Sequence, residues 1–133
     1  MNKEFIPYEQ ALELKELGFN EPCLTYYDGK GTEQIYFNSL LDGSGKYRPF
    51  ENHERLSWFG APLYQQAFRW FMEKHGLHIS LFVDDDKTFG YSISYFIEEG
   101  RVDKPLRRQF KTHEEAEHDC LKKLIEIVKN NSL

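Results

Sequence analysis

The block from Pro62 to Gly76 limits the possible folds of this chain most strongly. At about 100° per residue, its apolar side chains fill roughly 200° of a helical wheel. They are Leu63, Tyr64, Ala67, Phe68, Trp70, Phe71 and Met72. A surface helix normally carries a narrower apolar face. We therefore predict a helix that needs two neighbours, a sheet on one side and either another helix or a second subunit on the other.

Two further helices are predicted, one near each end of the sequence. The first covers residues 8–17, between Pro7 at its start and Gly18 at its end, where these residue types are best tolerated. The last covers residues 113–129 and begins with a capping box, in which a threonine hydroxyl and a glutamate carboxylate satisfy backbone N–H groups. Apolar residues of the first helix are spread around its axis, so it too is expected to be covered, internally or in a homodimer.

The predicted strands are short and connected by turns. Residues 23–27 and 34–37 flank an Asp-Gly turn and predict a hairpin. Alternating side chains predict strands at 79–83 and 89–97, and residues 106–111 form one more candidate strand. The predicted fold is therefore α+β: a mainly antiparallel sheet of about four or five strands with three helices, in the order α-β-β-α-β-β-(β)-α. We predict a single domain over residues 1–133.

Composition excludes some classes of function. The net charge of −5 argues against general phosphate-backbone binding, which requires clustered positive charge. No apolar run is long enough to span a membrane. Cys23 and Cys120 are not spaced as a metal-binding pair and no secretion signal is recognisable. We expect free thiols in a cytoplasmic protein.

Two partial metal motifs lack essential ligands. Glu115 and His118 have Glu-x-x-His spacing, but a di-iron site needs two Glu-x-x-His motifs and further glutamates on facing helices. Asp84 and Asp86 resemble the start of a calcium loop, but Phe89 replaces the glycine of the sharp turn. We therefore expect no metal site, and nothing in the sequence indicates a cofactor.

His113 and Glu117 lie four residues apart on the apolar half of the last helix. A carboxylate at such a position must find a partner or lose hydration energy. Either the first helical turn overhangs the core and both side chains stay hydrated, or they form a polar site at the edge of the sheet. The second alternative would make this pair the centre of a small enzyme.

The densest cluster of positive charge is the segment 101–111, which we call the basic segment; it contains Arg101, Lys104, Arg107, Arg108 and Lys111. Next to a strand rich in Tyr and Phe, it could bind an anionic ligand or single-stranded nucleic acid. The alternative is a solvated edge strand protected by charge. Interleaved acidic residues and the acidic composition favour the edge strand.

Several stretches together resemble a known group of proteins. They are Ile6–Phe19 (IPYEQALELKELGF), Glu21–Cys23 (EPC), Ala61–Phe71 (APLYQQAFRWF), and Glu114–Glu117 (EEAE) together with Cys120–Ile125 (CLKKLI). These stretches resemble small hypothetical proteins of Bacteroidales genomes, their phages and mobile elements. The resemblance implies a small cytoplasmic accessory protein, and it implies no catalytic residue because no activity is established for that group.

The absence of a complete catalytic constellation beside many aromatic residues favours a non-enzymatic binding or interaction protein. Its expected partner is a second copy of itself, another protein or a small anionic ligand, and nucleic acid is disfavoured. The alternatives are a nucleic-acid accessory protein that uses the basic segment and a small enzyme centred on the last helix. The candidate binding residues are Tyr47, Phe50, Trp58, Phe59, Tyr91, Tyr95, Arg107, Arg108, His113 and Glu117.

Overall fold

The computed structural model describes residues 4–29 and 59–130, and the backbone of residues 36–37. Its backbone contacts group the chain into two compact units, residues 1–64 and 65–133. Three helices and two antiparallel sheets confirm the α+β class and the approximate order of elements. The single domain over the whole chain stays a prediction.

The first unit contains one helix and one small sheet. Helix α1 is Tyr8–Glu16, and strands β1, β2 and β3 are Thr25–Tyr27, Tyr36–Phe37 and Phe59–Gly60. Strand β1 pairs antiparallel with both others, in the order β2-β1-β3. The predicted hairpin is confirmed by the pairing of β1 with β2, whereas β3 was not predicted.

Specific polar contacts anchor β1 within the first unit. The Thr25 hydroxyl donates a 2.7 Å hydrogen bond to the carbonyl of Ala61. The Tyr27 hydroxyl donates a 2.9 Å hydrogen bond to the carbonyl of Ile6. Both side chains are buried, so these bonds satisfy polar groups that would otherwise destabilise the fold.

Helix α2, Tyr64–His75, leads into the second unit. Four strands follow: β4 (His78–Val83), β5 (Phe89–Ile97), β6 (Gly100–Asp103) and β7 (Arg107–Phe110). Helix α3, His113–Asn130, ends the described part of the chain. The predicted bounds of all three helices agree with these ranges to within one or two residues.

Strand β5 organises the second sheet. One of its edges pairs with β4 along six residues. Strand β6 pairs with residues 94–97, in the C-terminal part of β5. Strand β7 pairs with residues 89–91, in its N-terminal part. The candidate strand at residues 106–111 corresponds to β7, whereas β6 was not predicted.

The apolar faces of α2 and α3 are buried. In α2, Ala67 and Phe71 are fully buried and Trp70 is 4% exposed. Met72, on the same arc, is 42% exposed, and the expected homodimer stays a prediction. In α3, the buried side chains are Ala116, Cys120, Leu121, Leu124, Ile125 and Ile127.

The capping box at α3 differs slightly from the predicted form. The backbone N–H of Glu115 donates to the Thr112 hydroxyl at 3.1 Å, as predicted. The Glu115 carboxylate accepts from the backbone N–H of Lys111 at 3.2 Å, one residue before the expected donor. Two N–H groups at the start of the helix are satisfied in this way.

None of the described helices has both the length and the apolar composition that a membrane crossing requires.

Candidate functional site

A small cavity in the second unit lies where the chain passes from β6 to β7. After β6 ends at Asp103, the backbone N–H of Lys104 still donates to the carbonyl of Ile93 in β5, at 2.8 Å. Pro105 follows and has no N–H to donate, so the pairing with β5 stops until β7 begins. The interruption opens a cavity of about 240 Å³, which we call the β6–β7 cavity. It is lined by Tyr91, Ile93, Lys104, Pro105, Arg107 and Lys123.

Positive charge dominates the described lining of the cavity. Three of its residues are cationic, Lys104, Arg107 and Lys123, and none of the described lining residues is acidic. Arg107 Nη2 lies 3.9 Å from Asp119 Oδ2, at the limit of an ion pair. Lys123 Nζ lies 3.3 Å from Glu126 Oε1, and both side chains are exposed. Exposed ion pairs are weak, so an incoming anion can compete for these cations.

The wall of the cavity formed by β5 is held in place by Tyr91. Its side chain is buried, and its hydroxyl donates a 2.6 Å hydrogen bond to Asp119 Oδ2 in α3. The Tyr91 ring stacks on Phe110 of β7, with centroids 6.0 Å apart. Burial raises the pKa of the Tyr91 phenol well above its ordinary value, and the bond to Asp119 raises it further. The phenol is therefore a permanent donor that fixes β5 against α3.

The pair at the start of α3 has the geometry that the sequence suggested. His113 Nε2 lies 3.5 Å from Glu117 Oε2, and the side chains are 48% and 13% exposed. Burial raises the pKa of Glu117, and the neighbouring His113 opposes that shift. The His113 ring also contacts Phe89 edge-on, at 5.9 Å between centroids. The histidine remains hydrated while the carboxylate is mostly covered.

The thiol of α3 is a weak candidate for a nucleophile beside this pair. Cys120, one turn further along α3, is fully buried. Burial raises the pKa of its thiol, and the acidic neighbours Asp119 and Glu117 raise it further. A protonated, inaccessible thiol is a poor nucleophile. The contact between His113 and Glu117 therefore lies beside a thiol that is poorly suited to nucleophilic chemistry.

The basic segment does not present a continuous positive surface. Arg101 Nε lies 3.1 Å from Asp103 Oδ1. Arg108 forms two bonds with the Asp84 carboxylate, of 2.6 and 3.3 Å. Acidic side chains thus alternate with the basic ones along this surface, and Arg107, beside Asp119, lines the β6–β7 cavity. The structure therefore agrees better with charged protection of strands than with a nucleic-acid track.

A second cavity lies at the acidic turn after β4. It has a volume of about 550 Å³ and is lined by Asp84, Asp85, Asp86, Leu106, Arg108 and Gln109. The Asp86 carboxylate accepts hydrogen bonds from the hydroxyl and the backbone N–H of Thr88, which lower its pKa. Since Asp84 is paired with Arg108, the groups here mainly stabilise the turn.

The structure brings the predicted binding residues together in two separate pairs, Tyr91 with Arg107 at the β6–β7 cavity and His113 with Glu117 at the start of α3. Tyr91 and Arg107 line the β6–β7 cavity, whereas the other described candidates of the second unit, Tyr95, Arg108, His113 and Glu117, do not line it. Phe59 is 1% exposed, and its ring contacts those of Tyr8 and Tyr27 in the first unit. The remaining three, Tyr47, Phe50 and Trp58, lie outside the described residues.

Sequence reasoning missed the other residues of the cavity. Lys104 and Lys123 were seen only as parts of a charged segment and of a helix end. The proline within the basic segment was a usable signal, because Pro105 has no N–H for a ladder of strand hydrogen bonds. Nothing in the sequence indicated that Lys123, on α3, lines the same cavity as that interruption.

Comparisons with protein-family models, curated proteins and solved structures give no match. The chemistry of the site must therefore be inferred from its own residues. Among residues 4–29 and 59–130, no three His, Cys, Asp or Glu side chains converge as the ligands of a metal ion would.

Proposed function

We propose that this protein is a non-enzymatic binding protein that takes a small anion in the β6–β7 cavity. The observation that carries the proposal is the convergence of Lys104, Arg107 and Lys123 on one cavity of a chain whose net charge is −5. Three cations on a single concave surface attract an anion locally, whatever the sign of the overall charge. The preferred ligand is a phosphate monoester or a short carboxylate.

The size of the cavity favours a small ligand. Its volume of about 240 Å³ lies below the roughly 300–1,000 Å³ that is common for ligand pockets. A single phosphate or carboxylate group with a few carbon atoms fits this space. A polymer could place only one of its groups there, which agrees with the absence of a continuous basic track among the described residues.

The chemistry of the lining supports an anion that carries a short apolar part. The guanidinium of Arg107 can bind two oxygens of a phosphate or carboxylate at once, and the two lysines add point charges. Ile93 and Pro105 supply an apolar wall beside these cations. The Tyr91 hydroxyl is already bonded to Asp119, so we assign it a positioning role and no direct contact with the ligand.

The sequence resemblance supports a cellular context for this binding function. Similarity to small proteins of Bacteroidales genomes, phages and mobile elements points to an accessory protein of that kind. The two free, buried cysteines, Cys23 and Cys120, are compatible with the reducing cytoplasm that we propose as its location.

A ligand screen tests the proposed function. Inorganic phosphate, a phosphate monoester and succinate are compared with choline chloride at equal ionic strength, by thermal shift and by NMR of the backbone amides. A ligand at about 100 times its dissociation constant should stabilise the protein by about 2.7 kcal/mol. The amides that shift should be those of residues 91–93, 104, 106–107 and 119–123.

Matched variants make the screen specific. Arg107→Gln removes the bidentate cation from the cavity and should weaken binding at least about tenfold, since charged hydrogen bonds contribute about 1.5–3 kcal/mol. Arg101→Gln removes an exposed arginine of the same sheet that pairs with Asp103 outside the cavity, and it should leave binding unchanged. Equal loss in both variants would mean that only net charge matters. No saturable binding of any anion would refute the proposal.

A further inference from the structure

Strand β4 forms an unpaired edge of the second sheet within the described residues. It pairs with β5 on one side, and no described strand occupies its other side. Its sequence, His-Ile-Ser-Leu-Phe-Val, contains no Lys, Asp, Glu, Arg or Pro. Natural proteins usually protect such edges with charges, prolines or bulges, because an unprotected edge pairs with another strand.

The residues whose backbone points outward from this edge can be identified. The Ile93 carbonyl accepts from Lys104 on the β6 side of β5. In a strand, the N–H and C=O groups of successive residues point to opposite sides. The backbone groups of Ser92 and Ser94 therefore point toward β4. Their partners in β4, Ser80 and His78, therefore point back toward β5.

It follows that Ile79, Leu81 and Val83 direct their N–H and C=O groups away from the sheet. No described backbone group forms a hydrogen bond with any of these three residues on that outer side. The Val83 side chain is also 63% exposed, although valine is among the residues most often buried. The edge thus presents a row of available backbone groups beside an exposed apolar side chain.

The charges at the two ends of β4 are complementary to each other. Lys74, in the last turn of α2, precedes the strand, and Asp84, Asp85 and Asp86 follow it. In an antiparallel pair of two identical strands, the basic end of one copy lies beside the acidic end of the other. A twofold axis produces this arrangement twice, as a self-complementary interface requires.

We propose that two copies of this chain associate through β4, antiparallel about a twofold axis at Leu81. In this register, Leu81 of each copy faces its equivalent, and Ile79 faces Val83 of the second copy. These are outward-pointing residues on both sides, so each pair exchanges two backbone hydrogen bonds. The two four-stranded sheets become one continuous sheet of eight strands, and Val83 is covered on both copies.

Hydrogen exchange on the wild-type chain tests this proposal without any substitution. The inward amides of Ser80 and Phe82 should be protected at every concentration, because they bond to β5. The outward amides of Leu81 and Val83 should be protected in concentrated protein and should exchange quickly after dilution. Sedimentation over the same dilution series should show a mass falling from twice 15.9 kDa toward 15.9 kDa.

A matched pair of variants localises the interface. Val83→Pro removes an outward N–H without breaking a bond to β5, a position at which an edge strand tolerates proline. Because two of the bonds between the copies disappear, the dimer should dissociate at a concentration at least about tenfold higher. Val83→Thr keeps the N–H and the branched side chain, and it should dimerise like the wild type.

Three results would overturn the proposal. The first is a monomer at every concentration examined. The second is a dimer in which the outward amides of β4 exchange as quickly as in dilute protein, which would place the interface elsewhere. The third is protection of those amides that does not change with dilution, which would mean that another part of the same chain covers the edge.

Discussion

The Tyr91 hydroxyl and the Asp119 carboxylate form a 2.6 Å hydrogen bond that joins the N-terminal part of β5 to α3. This bond links a fully buried ring to an acid that is 34% exposed in its side chain. The same carboxylate lies 3.9 Å from Arg107. One acid therefore positions both the wall of the β6–β7 cavity and its central cation.

We expect Tyr91→Phe to lower the free energy of unfolding by about 1.5 kcal/mol, because a hydrogen bond to a charged acceptor is lost. Asp119 can be hydrated after the change, so the cost should not exceed that of one bond. Urea unfolding at neutral pH measures the difference. Tyr95→Phe, in the same strand, is the control and should change stability by less than about 0.5 kcal/mol. Equal losses in both variants would contradict a specific role for the Tyr91–Asp119 bond.

Gly90 is required by close contacts at the centre of the sheet. A Cβ atom at this position would lie 2.5 Å from the Arg107 carbonyl oxygen and 2.7 Å from the Phe82 ring. The ring can move, but the carbonyl belongs to the paired backbone of β7. Gly90→Ala should therefore destabilise the protein by about 1–3 kcal/mol.

Thermal unfolding of Gly90→Ala should be compared with that of Ser92→Ala, two residues along the same face of β5. The control introduces no new atom and should melt within a few degrees of the wild type. Because Arg107 also lines the cavity, Gly90→Ala should weaken anion binding as well. An unchanged melting temperature would show that β7 does not approach β5 as closely as the structure indicates.

Local patterns were sufficient to predict the helices and the long strands. The apolar arc of α2, the capping residues of α3 and the alternation along β5 are each contained within one short stretch of sequence. The arc of α2 follows the helical period of 3.6 residues, and the alternation along β5 follows the strand period of two. This explains why the predicted bounds of these elements agree closely with the observed ones.

Long-range pairing was the part that the sequence could not predict. The two residues of β3, Phe59–Gly60, form a strand only because β1 offers them an edge. Similarly, the cavity needs Lys123 of α3 to lie beside Pro105, and no pattern within either segment encodes that proximity. Very short strands and converging side chains depend on tertiary contacts that periodicity does not describe.

The partly buried carboxylate of Glu117 should make stability depend on pH. Its pKa is raised above the ordinary value of 4.5 because burial disfavours the charged form. The folded state therefore holds this proton more tightly than the unfolded state does. By linkage, the contribution of Glu117 to the free energy of unfolding falls as the pH rises from below 4.5 through the raised pKa.

We expect Glu117→Gln to remove this component of the pH dependence. The difference in unfolding free energy, variant minus wild type, should become more positive as the pH rises through that window. Urea unfolding at several pH values measures it. Glu98→Gln, at an exposed position, is the control and should give a difference that stays nearly flat. A difference that falls with pH would mean that the ion pair with His113 outweighs the cost of burial.

Ala67 is fully buried at the middle of the apolar arc of α2. We expect Ala67→Asp to unfold or aggregate the protein, because an unpaired buried carboxylate costs several kcal/mol, comparable with the stability of a small domain. Circular dichroism and size-exclusion chromatography measure the outcome. Gln65→Asp places the same residue at an exposed position near the start of the helix, where a negative charge is favourable, and this variant should stay folded. A soluble Ala67→Asp variant with an unchanged melting temperature would show that α2 is not buried along this face.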